Sequence, residues 1–146
     1  MATIKEYLSS DHARCDELFA KMEAVATNSL SDAKDACVEF QKETERHFQM
    51  EERVMFVEFE QKTGMTQGPT AMMRQEHIQM RALMTQMCEA IDTNNKDKFF
   101  GLSETLMILL QQHNMKEEQM LYPMAQQHLM ADSDRIVSMM DSLIVE

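Results

Sequence analysis

At 146 residues and a formal net charge of -11, the chain is long enough for one domain with a sizeable core and too acidic to suit nucleic acid or an anionic membrane, which both call for basic patches. No apolar run approaches the roughly 20 residues of a membrane span, and Met1-Ala2-Thr3-Ile4-Lys5-Glu6 carries no signal-peptide pattern, so a soluble cytoplasmic protein is expected. Three glycines, two prolines and almost no β-type alternation predict an all-α fold, with the 17 methionines as plastic core filling.

The first helix is expected from about Thr3 to Thr27 on the stripe Ile4, Leu8, His12, Cys15, Leu18/Phe19, Met22 and Val25/Ala26, which puts His12 at a core position. Asn28-Ser29-Leu30-Ser31-Asp32 is a turn, with Ser31 or Asp32 placed to cap a second helix that runs to about Lys62. That helix presents Cys37, Phe40, Thr44, His47/Phe48, Glu51, Val54/Met55 and Phe59, so a histidine and a glutamate four apart interrupt its apolar face. Gly64 stops it, and Pro69 suits the first turn of a third helix over about Thr70 to Asp92, with Met73, His77, Met80, Met84, Met87 and Ile91 inward. Thr93-Asn94-Asn95-Lys96 turns the chain into a fourth helix, about Asp97 to Leu129. Its stripe reads Phe99, Leu102, Leu106, Leu109, His113, Glu117, Met120 and Met124, again with a histidine and a glutamate four apart. Asp132-Ser133 is placed to cap a last short amphipathic helix bearing Ile136, Val137, Met140, Leu143 and Ile144. The expected architecture is an up-down-up-down four-helix bundle over residues 1–130, with residues 131–146 a C-terminal helix packed on the bundle or at an interface. Cys15, Cys37 and Cys88 are odd in number and widely spaced, which fits reduced, small apolar residues better than disulfides or thiolate metal sites.

In such a bundle, residues at equal height lie symmetrically about each turn. His12 and His47 have their midpoint between Ser29 and Leu30; the centre of His47/Glu51 and His77 average to Thr63; His77 and the centre of His113/Glu117 average to Lys96. All three midpoints fall in or at the start of interhelical breaks, so four histidines and two glutamates share one layer of one core. A single buried histidine is more often satisfied by a backbone or hydroxyl partner. Six polar residues at one level would each need a private partner, and two carboxylates would face each other in a low dielectric, so the layer asks for metal. Imidazole with carboxylate and no thiolate suits iron or manganese, and six ligands are too many for one ion with open positions; two ions are indicated, with Glu51 and Glu117 reaching inward to bridge them.

The order His12, His47-x-x-x-Glu51-Glu52, Glu76-His77 and His113-x-x-x-Glu117-Glu118 followed by Leu121-Tyr122-Pro123 resembles the hemerythrin-like family of cation-binding bundles over about residues 5 to 130. The resemblance implies a non-haem centre of two iron ions with an oxo or hydroxo bridge, binding or reacting with O2 or a related small oxidant such as peroxide or nitric oxide. Oxygen-carrying hemerythrins have a second histidine four residues after that of the third helix; here the position is Arg81, which cannot ligate. Where those carriers place an aspartate five residues after the last histidine, Glu117 at four and Glu118 at five compete, and Glu117 is chosen because it shares the stripe with His113. The resulting metal set is His12, His47, Glu51, His77, His113 and Glu117, with His12 and His47 on one iron and His77 and His113 on the other. Four histidines with two glutamates also resemble the branches linked to iron or oxygen sensing and to iron–sulfur-cluster repair or iron donation, and reversible O2 storage or carriage is a further alternative. Arg81, Glu118, Asp16 and Tyr122 are candidates to support the ligands, and His128 is read as a surface or helix-end residue. The chain is expected to be a monomer or a homodimer.

Overall fold

Thr3 opens the first helix with a reciprocal cap: the Glu6 N–H donates to its Oγ1 at 3.1 Å, and its own N–H donates to Glu6 Oε1 at 3.0 Å. The computed structural model, which describes residues 1–146, continues from there as α1 (Ile4–Asn28), with Ile4, Leu8, His12, Cys15, Phe19, Met22 and Ala26 buried. Ser31–Ala33 forms a 3-10 turn before α2, and neither Ser31 nor Asp32 caps that helix. Its N-cap position is Ala33, already helical, because the 3-10 turn supplies the backbone bonds that a side chain would otherwise make. The α2 helix comprises α-helical Lys34–Met50, a π-helical turn Glu51–Met55 and α-helical Phe56–Thr63. It ends at Gly64, whose φ of 74° is the left-handed C-terminal conformation that glycine adopts without steric cost. Pro69 begins α3 (Pro69–Asp92) at a position where its missing N–H costs nothing. Asn95 then accepts from the Lys98 N–H to start α4, which runs through Lys96–Lys116, a second π-helical turn Glu117–Leu121, and Tyr122–His128.

The π-turns overturn one sequence expectation. An extra residue in the turn advances the following positions by about 100°, so after Glu117 the inward positions become Leu121, Tyr122, Ala125 and Leu129, all buried, whereas Met120 is 61% exposed and Met124 only partly covered. The same advance on α2 brings Met55 and Phe56 inward together after Glu51.

The short α5 (Ser133–Asp141) starts after a 3-10 turn without a side-chain bond from Asp132, contrary to the expected cap. Ile136, Val137 and Met140 are buried in the same apolar cluster as Ile4, Leu8, Phe56, Phe59 and Tyr122. Arg46 fixes the end of α5 by donating to the carbonyls of Met140 and Asp141 at 3.1 and 3.0 Å. Ile144 is exposed. A second apolar cluster, with Phe19, Phe40, Met80, Met84, Phe99 and Leu106, fills the opposite end of the bundle. Between the two lies a polar layer. No helix is long and apolar enough to cross a membrane.

Candidate metal centre

His12 from α1, His47 and Glu51 from α2, His77 from α3, and His113 and Glu117 from α4 meet in that layer, each no more than 5% exposed. Their ligand atoms fall into two overlapping groups, His12/His47/Glu51/Glu117 and Glu51/His77/His113/Glu117, and within each the atoms lie within 4.8 Å of one another. The two glutamates belong to both. Glu51 Oε2 is 3.5 Å from His47 Nε2 and Oε1 is 3.1 Å from His77 Nε2, so its carboxylate spans the groups. Glu117 Oε1 lies 3.0 Å from His12 Nε2 and 3.1 Å from His113 Nε2. Ligand atoms about 2.1 Å from one ion stand about 3.0–3.4 Å apart, close to these separations.

Each imidazole is turned inward by a carboxylate on its other nitrogen. The Nδ1–H groups of His47, His77 and His113 donate at 2.7 Å to Asp11, Glu52 and Glu76, and His12 Nδ1 lies 3.4 Å from Glu118. Carboxylates are acceptors, so this fixes the proton on Nδ1 and leaves Nε2 as the inward atom. The four pairs run in one direction round the bundle: α1 to α2, α2 to α3, α3 to α4, and α4 back to α1. The cause is helical geometry. Neighbouring residues differ by about 100° in direction, and consecutive helices are antiparallel, so pointing in one rotational sense requires the residue before the ligand on one helix and the residue after it on the next. The sequence alternates accordingly: Asp11 precedes His12, Glu52 follows Glu51, Glu76 precedes His77 and Glu118 follows Glu117.

A cation fits the centre on the evidence of its unpartnered atoms. Glu51 Oε1, Glu117 Oε2, His77 Nε2 and His113 Nε2 are buried without a hydrogen bond, although both nitrogens are only 3.1 Å from a carboxylate oxygen. The lone pairs converge on shared space rather than on each other. Buried groups left so cost about 1–3 kcal/mol each, a large fraction of a domain's stability of about 5–15 kcal/mol. Without a metal, protons partly neutralise the layer. Burial opposes charge on His47, but Glu51 and Asp11 outweigh it and raise the imidazole to about 10. His113 is raised against the same penalty to about 9 by Glu117, Glu51 and Glu76. Glu51 is held well below the carboxylate range in spite of burial, chiefly by His47.

The groups differ in their walls. Beside His12 and His47 stands the buried Tyr122, whose Oη donates to Glu51 Oε2 at 2.6 Å and lies 3.0 Å from His12 Nε2 and 3.1 Å from Glu117 Oε1. Burial, then Glu117 and Glu51, pushes its phenol well above the usual range, so it keeps its proton. Beside His77 and His113 the wall is aromatic: Phe48 stacks on His77 with centroids 4.0 Å apart and meets His113 edge-on. Arg81 stays outside, forming ion pairs with both Glu45 and Glu52 at 2.7–2.9 Å. Asp16 is exposed, and His128 is an exposed helix-end residue with its ring against Phe59. The largest surface concavity, about 610 Å3, is an open polar cleft that reaches Asp11 but none of the six inward residues. Asp11, Glu52 and Glu76 were not singled out as supports from the sequence; their alternating adjacency to the inward residues is the signal that finds them.

The family model described as "Hemerythrin HHE cation binding domain" matches residues 3–125. No curated protein and no solved structure matches the chain.

Proposed function

The chain belongs to the hemerythrin HHE cation-binding family, and on that footing we propose that it holds two iron ions and binds or reacts through them with O2 or a related small oxidant, peroxide or nitric oxide. His12 and His47 would serve one ion, His77 and His113 the other, and Glu51 and Glu117 would bridge. The observation that carries this reading is the pair of overlapping four-residue groups sharing both carboxylates. Two imidazoles and two carboxylates without thiolate suit iron, and four protein ligands for each ion would leave room for a small ligand. Iron bound there supplies electron transfer and Lewis acidity at an open position.

The chain's own residues orient and insulate. Asp11, Glu52, Glu76 and Glu118 hold the imidazoles with Nε2 inward, and Tyr122 directs its proton at Glu51 Oε2. The apolar clusters above and below exclude bulk water. A cavity of about 10 Å3, lined by His12, Thr44, His47, Phe48 and Leu110 among others, borders the first group; that is about the least space that holds one water. Arg81, at the position where oxygen carriers have a further histidine, is committed to Glu45 and Glu52. The poorer ligand set favours reaction over reversible carriage.

Mixing the reduced, iron-loaded protein with oxygenated buffer tests the reading. Rapid oxidation that removal of O2 does not reverse, together with consumption of added hydrogen peroxide by the oxidised form, is expected. An absorption band that vanishes reversibly when O2 is removed, with no peroxide consumed, would establish carriage instead.

A further inference from the structure

At the end of the bundle away from α5, two cysteines from different helices meet. Cys37 on α2 and Cys88 on α3, 51 residues apart in sequence, have their sulfurs 2.7 Å apart and are 1% and 7% exposed. A disulfide bond is about 2.05 Å long, so a small rotation of the two side chains closes the gap. The third cysteine, Cys15, is buried on α1 without a sulfur partner, and burial pushes its thiol up to about 12.

We infer that Cys37 and Cys88 form a redox-active dithiol that hydrogen peroxide converts to a disulfide, stapling α2 to α3. The surroundings divide the roles. Cys88 is the more exposed residue of the two, and its Sγ lies 3.5 Å from Gln41 Oε1. The Lys34–Asp92 ion pair, 2.8 Å long, joins the same two helices one turn beyond the sulfurs. Accepting the Cys37 hydrogen lowers the Cys88 thiol; burial opposes this, Lys34 assists, and Asp92 and Glu89 oppose. Cys37 is raised, first by that same hydrogen bond and then by burial. The greater exposure of Cys88 makes it the attacking sulfur, and the more deeply buried Cys37 is the resolving one.

The electrons balance in two steps. The Cys88 sulfur attacks one peroxide oxygen and the O–O bond breaks, giving a sulfenic acid and one water. The Cys37 sulfur then attacks the Cys88 sulfur, the S–O bond breaks, and the hydroxyl leaves with the Cys37 proton as a second water. Two electrons pass from the thiols to the peroxide, and a thiol reductant restores the pair by exchange. The residues involved are separate from the six inward residues of the metal layer, so the step needs no metal.

The test treats the full chain with hydrogen peroxide in the presence of a strong chelator, then alkylates and maps its thiols by mass spectrometry. Expected are an intact mass lower by two hydrogens, a peptide linking Cys37 to Cys88, an alkylated Cys15, and a thermal midpoint about 10 °C higher that a thiol reductant reverses. Cys37→Ser should accumulate a trappable sulfenic acid on Cys88, whereas Cys88→Ser should leave Cys37 reduced. Full alkylation of both cysteines in the peroxide-treated wild-type chain overturns the inference, as does a cross-link through Cys15 or one formed only after denaturation.

Discussion

The Tyr122 hydroxyl contacts four of the six inward residues within 3.3 Å, and its shortest bond is the one donated to Glu51 Oε2. Tyr122→Phe should lower the stability of the metal-free protein by about 1.5–3 kcal/mol, the worth of a hydrogen bond to a charged group. The loss should shrink once metal neutralises Glu51, so urea unfolding with and without metal separates the effects; equal losses in both states would contradict the account. Protonation makes a second prediction for the metal-free form. His47 and His113 have folded values of about 10 and about 9, above their ordinary 6.5, so their contribution is complete below that value and is lost as pH rises through 9 to 10. Glu52 runs the other way. Burial raises it, but bonds from His77 and Arg81 bring it down to about 2 from 4.5, so its contribution is present above 4.5 and fades as pH falls towards 2. Urea midpoints should therefore form a plateau between those limits and fall on both sides. Metal binding displaces the imidazole protons and should flatten the alkaline side; an alkaline limb unchanged by metal would count against these histidines as ligands.

At the level of the helices, the ring of acid–histidine pairs makes positions outside the layer matter. Asp11→Ala leaves His47 Nδ1 without its partner and should weaken metal binding about 10–100-fold while the helices remain intact. Chelator competition together with circular dichroism checks this, and unchanged affinity would reduce Asp11 to a surface acid. Much of this level was legible in the sequence. Apolar positions at three- and four-residue steps located the helices, and the midpoints of the turns put six polar residues at one height. The caps at Ser31 and Asp132 were misjudged because short 3-10 turns took over the backbone bonding. The π-turns could not be read from the sequence. A regular 3.6-residue period carries Met120 inward, while the inserted residue after Glu117 turns it to solvent and brings Tyr122 beside Glu51. Such turns are enriched at functional sites, and here both begin at a glutamate shared by the two ligand groups. The Cys37–Cys88 contact was equally hidden, because pairing of two residues 51 apart on different helices leaves no local pattern.

Across the whole molecule, the apolar clusters at the two ends hold together a middle layer in which Glu51 Oε1, Glu117 Oε2, His77 Nε2 and His113 Nε2 are buried without a hydrogen-bond partner. Glu51 and Glu117 each face both halves of that layer, so the two ions are expected to bind as a unit, and removing either carboxylate should cost more than the ion nearest to it. The net charge of -11 helps draw cations to the fold but does not choose among them. The direct measurement is elemental mass spectrometry on the full chain loaded anaerobically with ferrous iron and freed of excess metal, beside Glu51→Ala treated identically. Two irons per wild-type chain and fewer than one in the variant are expected. A wild-type chain that remains metal-free or retains a single zinc, or a Glu51→Ala chain that still holds two irons, would contradict it.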